Sequence, residues 1–242
     1  MPLESRRMIL DTNNISNYLV LGHNGFLGKL ILNKLESRGE RVRVLGERLT
    51  CENVESLFSR NIDQDTRIFN CIASGVTPNT GDELIDSFTN HSLLESQLKT
   101  LTNLRVANFT HFASNYENMH ARQNISSRNS YVLSKSNGSK VCRSFLEHDS
   151  RIQLMYLPTV IHSSQPRGRL FADFMHAFMG GQKFYINFPK LPLQMISFES
   201  LWNNLEILEK SANHLQVSLA PADVTLTAVS YTHLTLPTIL RV

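Results

Sequence analysis

Three glycines spaced three residues apart, Gly22, Gly25 and Gly28, stand between a β-type run and an apolar pattern of helical period. The run over 18–21 breaks at Gly22, after which Leu27, Leu30, Ile31 and Leu35 share one helix face. A strand that turns through glycine straight into a helix leaves a chain few options. Gly22 frees the backbone to leave the strand sharply, Gly25 lets a ligand approach bare backbone, and Gly28 lets the helix lie close on the sheet. The helix start then presents unpaired N–H groups and the positive end of its dipole, which suits phosphate.

Strand, turn and helix together supply the context that a dinucleotide-binding fingerprint demands. The elements downstream keep alternating. Residues 41–45 read as a second strand, 52–59 as a short helix, and the near-continuous apolar run 67–73 as a strand buried on both faces. A helix is expected over 83–102, with Leu84, Phe88, Leu93, Leu94 and Leu98 as its apolar set. A strand over 104–112, a helix over 128–146 and a strand over 152–157, stopped by Pro158, complete the series. This order predicts a doubly wound, parallel α/β sheet of Rossmann type with its ligand at the strands' carboxyl ends.

Residues 15–165 are read as that dinucleotide-binding domain, behind a frayed lead-in over 1–16. Residues 166–228 form a smaller, partial substrate-binding region: a helix over 170–179 stopped by Gly180 and Gly181, a strand over 193–198 and a helix over 199–208. His176 and Trp202 fall in apolar helical patterns there and read as packing residues. Residues 229–242 resemble a translated cloning-adaptor sequence, so they are read as a non-native tail and the substrate lobe as truncated.

A net charge of +3, with no Lys/Arg run longer than a pair, argues against nucleic acid as partner. No apolar run approaches the length of a membrane span. Cys51, Cys71 and Cys142 are odd in number and far apart, which gives neither metal spacing nor a disulfide framework and suits a reducing, cytoplasmic setting. No metal is expected.

Tyr131 and Lys135 form a second anchor, four residues apart and so on one face of the expected helix. A phenol titrates near about 10 in isolation, and a neighbouring cation favours its phenolate, bringing it towards the range useful for proton transfer. The ammonium can also hydrogen-bond a ribose hydroxyl.

With these motifs the chain resembles the extended short-chain dehydrogenase/reductases, in the NAD-dependent epimerase/dehydratase family that modifies nucleotide sugars. The resemblance covers residues 17 to 210. Gly22-x-x-Gly25-x-x-Gly28 is similar to the family's cofactor turn, implying contacts from Asn24, Phe26 and Leu27 as well. Asn70-Cys-Ile-Ala-Ser-Gly75 resembles the strand segment beside the cofactor, which brings in Ala73 and Ser74. Leu157-Pro158-Thr159 resembles a segment that usually reads Leu-Pro-Asn, implying cofactor contacts from Pro158 and Thr159. Tyr131 and Lys135 match the catalytic pair.

The chain also departs from the pattern. The family places a catalytic Ser or Thr four residues before an aromatic; counted back from Tyr116, that place holds Phe112. Thr110 and Ser114 lie two residues to either side, on the same strand face but about 6.6 Å along it. Ser114 is taken as the hydroxyl that polarises the substrate carbonyl, with Thr110 as second choice. The usual Gly after the Leu-Pro-Asn segment is replaced around His162, and the usual Arg-Asp near the later strand reads Leu193-Gln194.

Cofactor preference depends on the end of the second strand, where a carboxylate binds the ribose 2′-hydroxyl of NAD and an arginine the 2′-phosphate of NADP. Glu47 and Arg48 stand there side by side; by register Glu47 takes the key place, so NAD is expected with NADP as the alternative. Arg167 and Arg169 follow a position that, by the resemblance, binds nucleotide-sugar phosphates. The resemblance thus implies an epimerase, dehydratase or ketoreductase acting on a nucleotide sugar, often as a homodimer paired through the helices over 83–102 and 128–146. The alternative is a catalytically impaired NAD(P)-binding protein with a structural or regulatory role, motivated by Phe112.

Overall fold

The structure is a computed structural model and describes residues 17–74, 83–115, 117, 130–182, 193–210 and 217–226. The expected tail over 229–242 and Tyr116 lie outside the described residues. The chain begins with β1 (Asn17–Leu21), α1 (Phe26–Ser37), β2 (Arg41–Arg43), α2 (Val54–Asn61) and β3 (Thr66–Asn70). Next come α3 (Glu83–Ser87), a π-helical turn (Phe88–Ser92), α4 (Leu93–Asn103), β4 (Asn108–Ser114), α5 (Ser130–Leu146) and β5 (Ile152–Leu157). The remainder comprises β6 (Thr159–Ile161), α6 (Leu170–Met179), β7 (Leu193–Ser197), α7 (Phe198–Lys210), β8 (Val217–Leu219) and β9 (Val224–Leu226).

Six strands form one sheet in the order β2-β1-β3-β4-β5-β8, and every pairing is parallel. The order reverses at β1, with β2 on one side and β3 on the other, so a crevice opens at the carboxyl ends of β1 and β3. The period-two alternation of strand side chains supplies both faces of the sheet. Leu19, Leu21, Ile68, Phe109 and Leu154 pack against α2, α4 and α5. Tyr18, Val20, Phe69, Phe112 and Met155 pack against α1 and α7, where Trp202 is buried as its apolar pattern implied. His176, read as a packing residue too, is instead exposed on α6.

A second, three-stranded sheet has the order β6-β7-β9, with β6 and β7 parallel and β9 antiparallel. Pro158 divides β5 from β6, so consecutive strands enter different sheets. β8, late in the chain, returns to the edge of the large sheet beside β5.

Other expectations change as well. The strand expected over 104–112 runs from Asn108 to Ser114, because Arg151 holds the preceding segment as a loop, donating to the Leu104 and Leu101 carbonyls at 2.7 and 3.2 Å. The helix over 83–102 is interrupted by the π turn, where Gly138 of α5 lies so close that a Cβ would stand 2.1 Å from the Asn90 carbonyl oxygen. Leu93, Leu94 and Leu98, on a helix expected to pair with a second copy, are 4%, 1% and 0% exposed within this chain's own core. Cys51, Cys71 and Cys142 are free thiols. Among the described residues no helix is long and apolar enough to cross a membrane, and no group of metal-ligating side chains is assembled.

Candidate active site

The glycine turn is fixed by sterics at two positions. Gly22 has φ +74°, and a Cβ there would lie 2.9 Å from the Cys71 and Ile72 backbone. A Cβ on Gly28 would stand 2.2 Å from the Gly22 carbonyl oxygen, so helix and turn could not pack as they do. Gly25 is exposed and donates to the Gly22 carbonyl at 2.9 Å. It is also the N-cap of α1, without a side-chain cap bond and with no acidic residue in the first turn. The leading N–H groups of α1 are therefore left for an anion.

Two cavities flank this turn. One, of about 600 Å³, lies over the ends of β1 and β2 and is walled by Gly22, Asn24, Glu47, Arg48, Ser74 and Phe88 among others. The second, of about 370 Å³, is walled by Gly25, Phe26, Leu27, Ser114, Tyr131, Lys135, Pro158, Thr159 and Arg169 among others. Ile72 and Ala73 belong to both walls, so the two are halves of one crevice along the carboxyl edge of the sheet. That shape takes an elongated ligand with an anionic middle. Apart from Gly28, which lies beneath the turn, every residue expected to touch a cofactor lines one half or the other.

Glu47 and Arg48 share the wall of the larger half. Glu47 lies 3.9 Å from Arg60, an exposed pair that contributes little and leaves the carboxylate available. The exposed apolar side chains Ile85 and Phe88 face this same half.

In the smaller half Lys135 is buried, and its Nζ donates to the Phe112 carbonyl at 2.9 Å. Burial pulls its pKa down, and the nearby Glu117 carboxyl is the strongest influence raising it again. Tyr131, one turn earlier on α5, is half-buried in the same wall. Ser114 reaches this cavity because β4 extends two residues beyond its expected end. Thr110 does not: it is buried lower on the strand and donates its hydroxyl to Gln153 at 2.9 Å. Phe112 turns its ring into a stack with Phe69, at 6.1 Å between centroids, so only its backbone serves the lysine.

Two supporting residues had no signal in the sequence. Glu117 accepts the Ser114 N–H at 2.8 Å and the Ser139 hydroxyl at 2.6 Å. Burial pushes its carboxyl above the ordinary range, opposed by those bonds and by the Lys135 charge. Asn90, in the π turn, accepts the Ser74 N–H at 3.0 Å and donates to the Ser74 carbonyl at 3.1 Å and to Ser134 Oγ at 2.9 Å. It thereby fastens the segment after β3, which both halves share, to α5 between Tyr131 and Lys135. Only its place in an otherwise amphipathic helix could have marked it, and polar residues there are common.

His111 lies under the same region, fully buried, with Nδ1 3.1 Å from the Asn70 side-chain amide. Burial and the Lys135 charge hold its pKa well below the usual histidine value.

The two arginines separate. Arg167 points outward and pairs with Asp173 at 2.9 Å, away from the cavity wall. Arg169, two residues later, is half-buried in that wall. Burial lowers its pKa, and the Tyr131 phenol interacts with its charge in the opposite sense.

Strand order, glycine turn and crevice define a Rossmann-type fold of the kind built to hold a dinucleotide at a topological switch point. No family model matches the chain, and no curated protein matches it. Solved structures do. The Bordetella bronchiseptica enzyme WbmG, in complex with NAD, superposes with a TM-score of 0.73 at 13% identity, covering 92% of this chain and 77% of that one. UDP-glucuronic acid 4-epimerase from Bacillus cereus, a mutant in complex with a fluorinated UDP-glucuronic acid and NAD, gives 0.69 at 13% identity over 88% of this chain and 80% of that one. Thermus thermophilus UDP-glucose 4-epimerase, in complex with NAD, gives 0.68 at 16% identity over 88% and 80%. At 13–16% identity these likenesses show the fold, and at that level the resemblance read from the motifs holds.

Proposed function

We propose that this chain is an NAD-dependent enzyme that oxidises or reduces a nucleotide sugar, with epimerisation, dehydration or ketone reduction as the outcome. The observation that carries the reading is that Tyr131, Lys135 and Ser114 line one cavity, which continues past Ala73 into the crevice at the glycine turn. The NAD complexes among the structural neighbours support the choice of cofactor, and their nucleotide-sugar ligands and names support the substrate.

The backbone of Gly25, Phe26 and Leu27 would hold the pyrophosphate, with Glu47 on the adenosine ribose and Pro158 and Thr159 at the nicotinamide end. When bound, the cofactor supplies hydride transfer. Tyr131 exchanges the proton of the sugar hydroxyl as that carbon becomes a carbonyl, and Ser114 donates a hydrogen bond to the carbonyl oxygen. Lys135, anchored by the Phe112 carbonyl, has further N–H donors for the ribose and places its charge on the Tyr131 face of α5.

Calorimetry with NAD and NADP, followed by turnover assays on a set of nucleotide sugars, tests the proposal. Binding of NAD with turnover of at least one sugar is expected; failure to bind either cofactor would refute it. A cofactor-binding protein without chemistry is the second reading, favoured by the buried Phe112 ring in the place expected for a hydroxyl. NAD binding without turnover, unchanged by Tyr131→Phe, would select it.

Homodimerisation through the surface of α3 and α5 belongs to the same proposal. Leu84 and Leu133, 81% and 45% exposed on those helices, support it, and a strict monomer by light scattering would remove it. A cytoplasmic setting is supported by the three free thiols.

A further inference from the structure

We infer that the sugar taken by this site carries its own carboxylate, as a uronic acid does, and that Arg169 receives it. The inference rests on the nucleotide-sugar reading and narrows it. Two charged side chains, Lys135 and Arg169, stand in the wall of the smaller cavity; both are cations, and no carboxylate from the described residues accompanies them there.

Lys135 is already committed, buried against the Phe112 carbonyl and within reach of the Glu117 charge. Arg169 is not. It makes no ion pair among the described residues, although Arg167 beside it has one with Asp173. Gly168, at φ +84°, reverses the chain between them and so sends one arginine outward and the other to the cavity. A partly desolvated guanidinium that no described carboxylate balances is costly, so its place in the wall makes sense where a ligand brings the anion. The planar fork matches a carboxylate in two parallel hydrogen bonds.

Position along the sugar distinguishes the candidate anions. The cofactor pyrophosphate would lie at the glycine turn, where α1 begins. The substrate's diphosphate hangs from C1, across the ring from C4. Tyr131 must reach the hydroxyl that is oxidised, and Arg169 stands with Tyr131 in the wall of the same cavity. If that hydroxyl is on C4, as the 4-epimerase names among the neighbours suggest, the substituent two bonds away is C6. A carboxylate at C6 then falls beside Arg169, while the diphosphate does not.

The test uses the full chain saturated with NAD, and calorimetric titration with UDP, UDP-glucose and UDP-glucuronate. Wild type should bind UDP-glucuronate roughly ten- to a hundredfold more tightly than UDP-glucose, the worth of one charge-assisted contact. Arg169→Gln should erase that preference and leave the UDP affinity within about twofold, and Arg169→Lys should restore part of it. Equal wild-type affinity for the two sugars would overturn the inference without any variant and leave the nucleotide-sugar reading standing. An equal loss of UDP and UDP-glucuronate in Arg169→Gln would overturn it too, by placing the arginine on the diphosphate. If NAD binds and none of the three nucleotides does, the inference falls together with the nucleotide-sugar reading.

Discussion

On the glycine-turn side of the crevice the working groups are backbone: the amides that open α1, a turn held by a Gly25-to-Gly22 hydrogen bond, and bare Cα atoms where a side chain would collide. On the Tyr131 side they are side chains delivered by separate elements: Ser114 from the end of β4, Tyr131 and Lys135 from α5, and Arg169 from the start of α6. The first half can be specified by a dozen consecutive residues. The second requires several elements to arrive in register, and a buried web of Asn90, Glu117 and Ser139 holds them there. A ligand's common part can be bound by the locally encoded half, whereas under the proposed function chemistry and selectivity would fall to the half that depends on the whole fold.

The sharpest separation of the two halves should come from Tyr131→Phe. Removing the phenol oxygen should lower kcat by roughly a hundred- to ten-thousandfold while NAD affinity in calorimetry stays unchanged. A parallel loss of NAD binding would show that the halves are not independent.

Glu47→Ala probes the opposite end. Loss of a charge-assisted hydrogen bond to the adenosine ribose should weaken NAD by about 1.5–3 kcal/mol, roughly one to two decades in Kd. NADP should be unaffected or bound more tightly, since the repelling carboxylate is gone. If Arg48 is the residue that turns inward, wild type will already prefer NADP and Arg48→Ala will remove the preference.

Gly28→Ala attacks the turn itself. With its Cβ 2.2 Å from the Gly22 carbonyl, the helix must shift, at a cost of about 1–3 kcal/mol. Thermal unfolding should report the loss, and NAD affinity should fall with it. Unaltered stability would mean that α1 can slide on the sheet, contrary to the close packing of its start.

The smallest effect expected is a pH dependence arising beneath the Tyr131 half. Burial holds the His111 pKa below that of the unfolded chain, so as pH falls the unfolded state takes up the proton first. The stability that His111 favours is present above about pH 6.5 and is lost below it, by up to about 1.4 kcal/mol per pH unit. Glu117 acts in the opposite sense: its raised carboxyl favours the folded state below its unfolded pKa, a contribution lost as pH rises. Urea unfolding of His111→Gln beside wild type at successive pH values isolates the histidine. Parallel profiles for the two proteins would show that His111 can be protonated in place.

What the sequence by itself determined is the part written in neighbouring residues. The glycine turn, the Tyr131–Lys135 pair on one helix face, and the bounds of β5 and α6 follow from spacing, because steric and periodic constraints act over a few residues. The alternating elements also implied a parallel sheet, since crossovers of that length leave little else.

The sequence ranked Ser114 ahead of Thr110, and the tertiary structure placed Ser114 alone of the two in the cavity wall. That placement turned on where Arg151, from a distant loop, lets β4 begin and on a hydrogen bond to Gln153 on β5. It also separated Arg169 from Arg167 by the left-handed turn at Gly168 and used Leu93, Leu94 and Leu98 inside the chain's own core. Glu117 and Asn90 acquired their roles in the same way, since a polar side chain is functional here only once burial has removed water as its partner. Burial is a property of all the elements that close around a residue, and no stretch of sequence contains them all.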